Sequence, residues 1–277
     1  MKNLRVFLFL LSALVSMTLK AHESLNAITG FVSPESVVQD AKGDIYVSEI
    51  GEFNKDGDGK ITRISIDGKL STFANGMDDP KGLIFIGKSL YVTDKNKVLK
   101  IEPDGKWSVF GSTMAFPQTP IFLNDITSDE SGNLYVSDSG NLKSGGAIFK
   151  ISKDKKITLV LNENTPEILA PNGLWIAKND LYEVDFSSGI LYKINLKTKS
   201  ISKIAEGLGG GDGLVKFGDN FFISDWKNGK IYKVQGNKVS LYKDGFTAAA
   251  DIALSYDKKS IITPDMKAGS VTIVPIH

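Results

Sequence analysis

The chain of 277 residues contains no cysteine, and its only histidines, His22 and His277, stand near its ends. The first absence excludes disulfides, thiol catalysis and zinc–thiolate sites. The second leaves the interior with no imidazole base, no histidine-ligated zinc and no Ser-His-Asp triad. An excess of charge of either sign is missing too: 33 Lys and Arg stand against 32 Asp and Glu, a formal net charge of +1. No basic surface argues for nucleic acid, and no acidic tail argues for a basic partner. Beyond residue 21 no apolar run is long enough to cross a bilayer as a helix.

What is present begins with a leader-like segment. Lys2 and Arg5 precede an apolar run from Val6 to Val15, followed by small and polar residues up to Ala21. A run of that length suits a signal-peptide core and is too short for a membrane span. The expectation is cleavage after residue 21, a periplasmic or secreted protein with no membrane association afterwards, and one domain over 22–277.

That remainder repeats a single phrase. Residues 123–138, LNDITSDESGNLYVSD, read as a strand, a turn at Ser131-Gly132-Asn133 and a second strand ending in Ser-Asp. The phrase occurs six times, with starts at Glu35, Lys81, Asn124, Asn172, Asp212 and Ala250, about 38–48 residues apart. A third strand follows each: KVLKI (97–101), AIFKI (147–151), ILYKI (190–194), KIYKV (230–234) and SVTIV (270–274) are examples. Short alternating strands at a period near forty are the signature of a β-propeller, one four-stranded blade per repeat. The expected fold is therefore an all-β, six-bladed propeller. The sixth repeat stops after its third strand, and segment 25–30 is expected to supply the fourth and close the ring.

Adjacent strands of a blade run antiparallel, so the starts of first strands and the ends of second strands share one mouth of the central channel. The long insertions 51–59, 111–122, 141–146 and 162–171 fall on that side, and a ligand site is expected there. Two columns of polar residues surround it. Second strands end in Glu49, Asp94, Asp138, Asp185, Asp225 and Asp265. A feature present in every repeat serves the repeat, so these read as acids that accept backbone N–H bonds at turns. The start column is uneven: Glu35, Asn124, Asn172 and Asp212 are oxygen donors, contributed by blades 1, 3, 4 and 5. Singly, each is an ordinary strand-start residue. Converging on the channel axis, two carboxylates and two amides suit a hard cation, calcium first, with coordination positions left for water and substrate.

Two weaker signals are read as structural. Residues 54–59, NKDGDG, resemble the first half of an EF-hand loop, but Ser65 stands where the closing Glu belongs, so the reading is a polar hairpin turn, with a second, weak calcium site as the alternative. The glycine run 207–211 leads into a strand and not a helix, so it permits close backbone approach and does not cradle a phosphate.

PESVV around Glu35, LND around Asn124, PNGL around Asn172 and GDGL around Asp212 resemble the metal-site motifs of the senescence-marker-protein/gluconolactonase/luciferin-regenerating-enzyme-like family. Its members are six-bladed propellers that hydrolyse lactones with a divalent metal. The resemblance implies Glu35, Asn124, Asn172 and Asp212 as metal ligands, Asp212 also as general base, and Asp125 beside the substrate. It implies a small-molecule lactone or related ester as the partner of a chain expected to act as a monomer. Sugar-lactone members carry an arginine two positions before the Asn of the LND-type motif, where it contacts substrate hydroxyls. Phe122 stands there in this chain, which puts Phe122 at the substrate and makes an aldonolactone a poor fit. Phe53, Met114, Phe116 and Trp226, in or beside other loops of the same face, point to an apolar pocket. The alternative from another class is a non-catalytic propeller of the NHL kind that presents loops to a peptide, glycan or protein, since propellers host both.

Overall fold

The computed structural model describes residues 27–277. The expected leader over 1–21 and His22 lie outside the described residues. Among those described, no helix is long and apolar enough to cross a membrane.

Six four-stranded antiparallel sheets follow one another along the chain. Blade 1 is built from Pro34–Gln39, Ile45–Glu49, Gly59–Ile64 and Leu70–Met77, and blades 2 to 5 repeat that order over 80–111, 123–162, 171–206 and 211–243. Blade 6 contains Ala253–Leu254, Ser260–Asp265 and Ser270–Pro275, and its outer strand is Ala27–Thr29. That strand pairs antiparallel with the last one, Ala27 opposite Thr272 and Thr29 opposite Ser270. The ring is thus closed by the segment expected to close it.

Second strands such as Leu134–Asp138 are buried throughout because they lie between two neighbouring blades, whereas outer strands such as Trp107–Gly111 are largely exposed. Apolar side chains fill each gap between blades. Val98 and Phe116 of the blade 2 side meet Leu123, Val136 and Phe149 of blade 3, and comparable clusters recur around the ring. This burial is the main driving force for the fold.

Two devices set the inner end of each blade. The acid closing every second strand accepts N–H bonds from the segment that leads into the same blade. Asp94 takes those of Asp78 and Asp79 at 2.9 and 2.8 Å. Asp138 takes Ile121 and Phe122 at 2.9 and 2.7 Å, and Asp265 takes Thr247 and Ala248 at 2.6 and 2.9 Å. Glu49, Asp185 and Asp225 do the same for Val32, Leu169 with Ala170, and Gly210. The acid column is structural, as its presence in every repeat predicts.

The second device is a β-bulge. Pro34 pairs with Glu49 and the next pair is Val37 with Val47, so Glu35 and Ser36 both stand opposite Ser48. The same irregularity falls at 81–82, 124–125, 172–173 and 212–213. A bulge bends the strand and re-aims its side chains. Where serine occupies the facing position it caps the bulge: Ser48, Ser137 and Ser224 accept the N–H of Ser36, Asp125 and Gly213 at 2.9, 2.9 and 2.7 Å.

One core position departs from the pattern. Val47, Val92, Val136 and Ile223 stand two residues before the acid that closes their second strands, where blade 6 has Thr263 and blade 4 has Glu183. Glu183 is fully buried, and neither carboxyl oxygen has a partner. Burial, with Asp185 nearby, pushes its carboxyl well above the usual glutamate range. The folded chain therefore keeps a proton that the unfolded chain releases above the ordinary glutamate pKa, so the penalty grows as pH rises through that range and up to the folded pKa. Glu183→Ile should stabilise the protein by about 1–3 kcal/mol, the scale of a buried polar group without a partner. Thermal melts across pH should show the gain largest at neutral and alkaline pH and smallest near pH ~4. A variant melting no higher than wild type at alkaline pH would refute this account. Removing residues through Thr29 should lower the melting temperature by many degrees or cause aggregation, because Ser270–Pro275 becomes a free edge. Melting within about two degrees of the chain that starts at residue 22 would show that closure carries little stability.

Candidate functional site

The bulged starts of blades 1 to 5 meet at a cavity of about 290 Å³ on the mouth that carries the long loops, lined by Glu35, Lys81, Asn124, Asn172 and Asp212. All five side chains are buried. The four oxygen donors read from the sequence are therefore brought together around one space, and Phe122 joins them as expected. Ile50, Phe186, Trp226 and Met266 also line it, each one residue beyond the acid that ends a second strand. Phe53 and Leu142 complete the wall from the loops after the second strands of blades 1 and 3. The Trp226 indole N–H reaches the Met266 sulfur at 3.4 Å.

Other expected residues lie elsewhere. Phe116 is buried edge-on against Phe149, ring centroids 4.9 Å apart, and Met114 is 96 % exposed; neither lines the cavity. Nor does Asp125. Its carboxylate oxygens accept the N–H groups of Ile126 and Leu174, both at 2.6 Å, so it ties blade 3 to blade 4 behind the lining. The bulge turns Asp125 toward its neighbour's backbone, where the expectation put it beside substrate. The loop 54–59 is a polar turn in which Lys55 pairs with Glu52 and Asp56 reaches Lys95. Close approach explains the glycines: a Cβ at Gly209 would lie 2.1 Å from the Asp225 carboxylate, and one at Gly213 2.2 Å from the Ile252 nitrogen.

Three oxygens at the cavity, Glu35 Oε2, Asn172 Oδ1 and Asp212 Oδ1, are buried without a hydrogen-bond partner. The Asn124 amide is oriented by Ser139: Nδ2 donates to Ser139 Oγ at 3.1 Å, and that hydroxyl donates to the Pro171 carbonyl at 2.8 Å. This leaves Asn124 Oδ1 as the free end of the amide. Each buried oxygen left unpaired costs about 1–3 kcal/mol, so several of them at one cavity form a place that could hold a hard cation. Among the described residues no three His, Cys, Asp or Glu gather as a ligand group; in this set two of the four donors are amides.

Burial and neighbouring charges set the proton affinities around the cavity. Burial, then Asp212 and Asp251, push the Glu35 carboxyl well above its usual range, with Lys81 opposing. Burial and then Asp251 raise Asp212, against the neighbouring Asn172 amide. Burial and Asp251 likewise raise Asp125, which its two N–H donors partly hold down. Asp251 itself is pushed up to about 7 by burial, although the Ser36 hydroxyl donates to it at 2.6 Å. Burial lowers Lys81, while Glu35, Asp79 and Asp94 oppose that change. The centre thus combines four buried carboxyls with one buried ammonium, an imbalance that protons or a bound cation relieve.

Sequence reasoning assigned no role to Asp251 or Lys81. Ala250 was placed in the start column as a residue without a donor, yet the next residue is the one that reaches blade 1. A signal existed: Asp251-Ile252 repeats Asp125-Ile126 at the corresponding place in the phrase.

No family model matches the chain, and no curated protein matches it in sequence. Among solved structures it is similar to a gluconolactonase from Xanthomonas campestris, with a TM-score of 0.77 and 11 % identity over 91 % of this chain and 89 % of the other. It is also similar to a chain of a nidogen/laminin complex, with a TM-score of 0.62 and 20 % identity over 73 % of this chain and 76 % of the other. At these identities the likeness concerns the fold, the six-bladed propeller described above.

The Asp251 carboxyl gives a direct test of the charge imbalance. Its folded pKa is raised, so its cost develops as pH rises from the ordinary aspartate range to about 7 and is constant above. In chelator-treated protein Asp251→Asn, which keeps an acceptor for Ser36, should raise the melting temperature at alkaline pH, with the gain vanishing toward pH ~4. A gain independent of pH would mean that the effect is not electrostatic.

Proposed function

We propose that the chain hydrolyses lactones or related esters with a divalent cation, calcium by preference, held at Glu35, Asn124, Asn172 and Asp212. The observation that carries this reading is the meeting of partnerless buried oxygens from Glu35, Asn172 and Asp212 at one cavity that Asn124 also lines. The likeness to a gluconolactonase supports it. Four protein oxygens with no nitrogen or sulfur suit a hard ion and leave positions for water and substrate.

When bound, the cation supplies polarisation of the ester carbonyl. The chain's own residues do the rest. Asp212 accepts a proton from the attacking water as its oxygen bonds to the carbonyl carbon, and returns that proton to the alkoxide as the acyl carbon–oxygen bond breaks. The Asn172 amide beside it favours the ionised carboxylate that the first proton transfer requires. Ser139 keeps the Asn124 amide turned so that its oxygen stays available. Phe122, Phe53, Leu142 and Trp226 exclude water and favour a substrate with an apolar body over a polyhydroxylated ring.

Free calcium at ~100 times its dissociation constant should stabilise the folded chain by about 2.7 kcal/mol. Glu35→Ala and Asn172→Ala should weaken that shift in thermal melts, and Asp94→Ala should leave calcium affinity nearly unchanged. Indifference of the wild type to calcium and to other divalent ions would overturn the cation site. At saturating calcium Asp212→Asn should keep the fold and lose roughly 10²-fold or more in lactone hydrolysis. Calcium binding without hydrolysis across a broad lactone and aryl-ester panel would favour the non-catalytic binding propeller instead.

A further inference from the structure

Lys81 is the start-column residue to which the hydrolytic scheme gives no task. The bulge between Pro80 and Leu83 turns it to the cavity, which it lines, and its side chain is only 1 % exposed. Of the three N–H groups on Nζ, one reaches the Asp79 carbonyl at 3.2 Å. No carboxylate among the described residues comes within ion-pair distance of it, although Glu35 lines the same cavity with Oε2 unpaired. A lysine present only to compensate buried acids would close on that oxygen. Instead the ammonium lies over the Phe122 ring, 4.2 Å from its centroid. That placement is attractive in its own right and leaves two N–H groups without an acceptor beside an apolar wall.

We propose that Lys81 is an anion-recognition residue, and that the pocket takes molecules bearing a carboxylate next to an apolar ring or chain. This rests on reading the cavity as the substrate site and narrows its substrate class to carboxylated lactones or esters. The carboxylate accepts the two remaining Lys81 N–H groups, and the apolar body packs on Phe122 and its neighbours in the wall. Charge-assisted hydrogen bonds of this kind are about twice as strong as neutral ones, and more so away from water. The donor count decides between anions: two N–H groups on a single ammonium match a carboxylate and leave a phosphate dianion under-satisfied. Blades 2 and 5 stand opposite each other in a ring of six, so a molecule anchored at Lys81 extends across the channel toward Asp212.

The test uses binding and not turnover. Phenylacetate and phenylacetamide have the same shape and differ in charge, and each is titrated calorimetrically into calcium-saturated protein. Wild type should bind phenylacetate at least ~10-fold more tightly, the scale of one hydrogen bond to a charged group. Lys81→Met keeps the length and apolar stem of the side chain; it should abolish the preference and hold phenylacetamide affinity within about threefold. Wild type binding the acid no better than the amide overturns the proposal, as does a preference retained in Lys81→Met, which would assign it to calcium alone. Should that variant not fold, wild type in excess chelator serves: a surviving preference supports Lys81, and a lost one overturns it. Because neither probe is a lactone, failure of the hydrolase reading on an ester panel leaves this result separately readable.

Discussion

The carboxylate that ends each second strand grips the backbone of the segment about to become the first strand of the same blade, and the rest of the molecule depends on that grip. It is made of strong hydrogen bonds between a buried acid and amides that would otherwise be orphaned, as where Asp138 holds Ile121 and Phe122. Repeated around the ring, it fixes the height at which every first strand begins. The bulge that follows then turns one side chain per blade to the axis at the same level. Loops on that mouth can differ in length and composition because none of them has to set this geometry.

Convergence has an electrostatic consequence. Side chains from separate blades are forced together where water is excluded, so burial raises the proton affinity of Glu35, Asp212, Asp125 and Asp251, and the Asp251 charge adds to it in the other three. The scaffold tolerates this because the strain is confined to the axis, while apolar clusters between blades carry the stability. Glu183 carries a like cost on a second strand, where it is fully buried without a partner and its carboxyl is pushed up by burial and Asp185.

The period, the strand count per blade, the closing strand and the structural role of the acid column were all legible in the sequence. Each is written as a repeat, and a repeat is read by comparison with itself. The set Glu35, Asn124, Asn172 and Asp212 was legible because its members share one place in the phrase. Asp125 and Asp251 were harder. Strict alternation along a strand sends consecutive residues to opposite faces, whereas a bulge sets two residues against one, and then where the second one points depends on the blade next door. Lys81 was visible in its column, but whether a long flexible cation pairs with an acid or settles on a ring is decided by Phe122, brought in from blade 3. Glu183 had a signal that went unread: LYEVD (181–185) breaks the apolar position kept in LYVTD, LYVSD and FFISD.

The pairing of Ala27–Thr29 with Ser270–Pro275 also orders events in time. Strands of blades 1 to 5 find their partners within tens of residues and can assemble as they are made. The outermost strand of blade 6 is synthesised before all of them and waits for the last one. Until then the ring is an open arc with an unpaired edge at blade 6, and Ala27–Thr29 is free to meet other partners. Completion is a single late event of very high sequence separation. In a chain of this design the edge at blade 6 stays open to misassembly until that one contact is made.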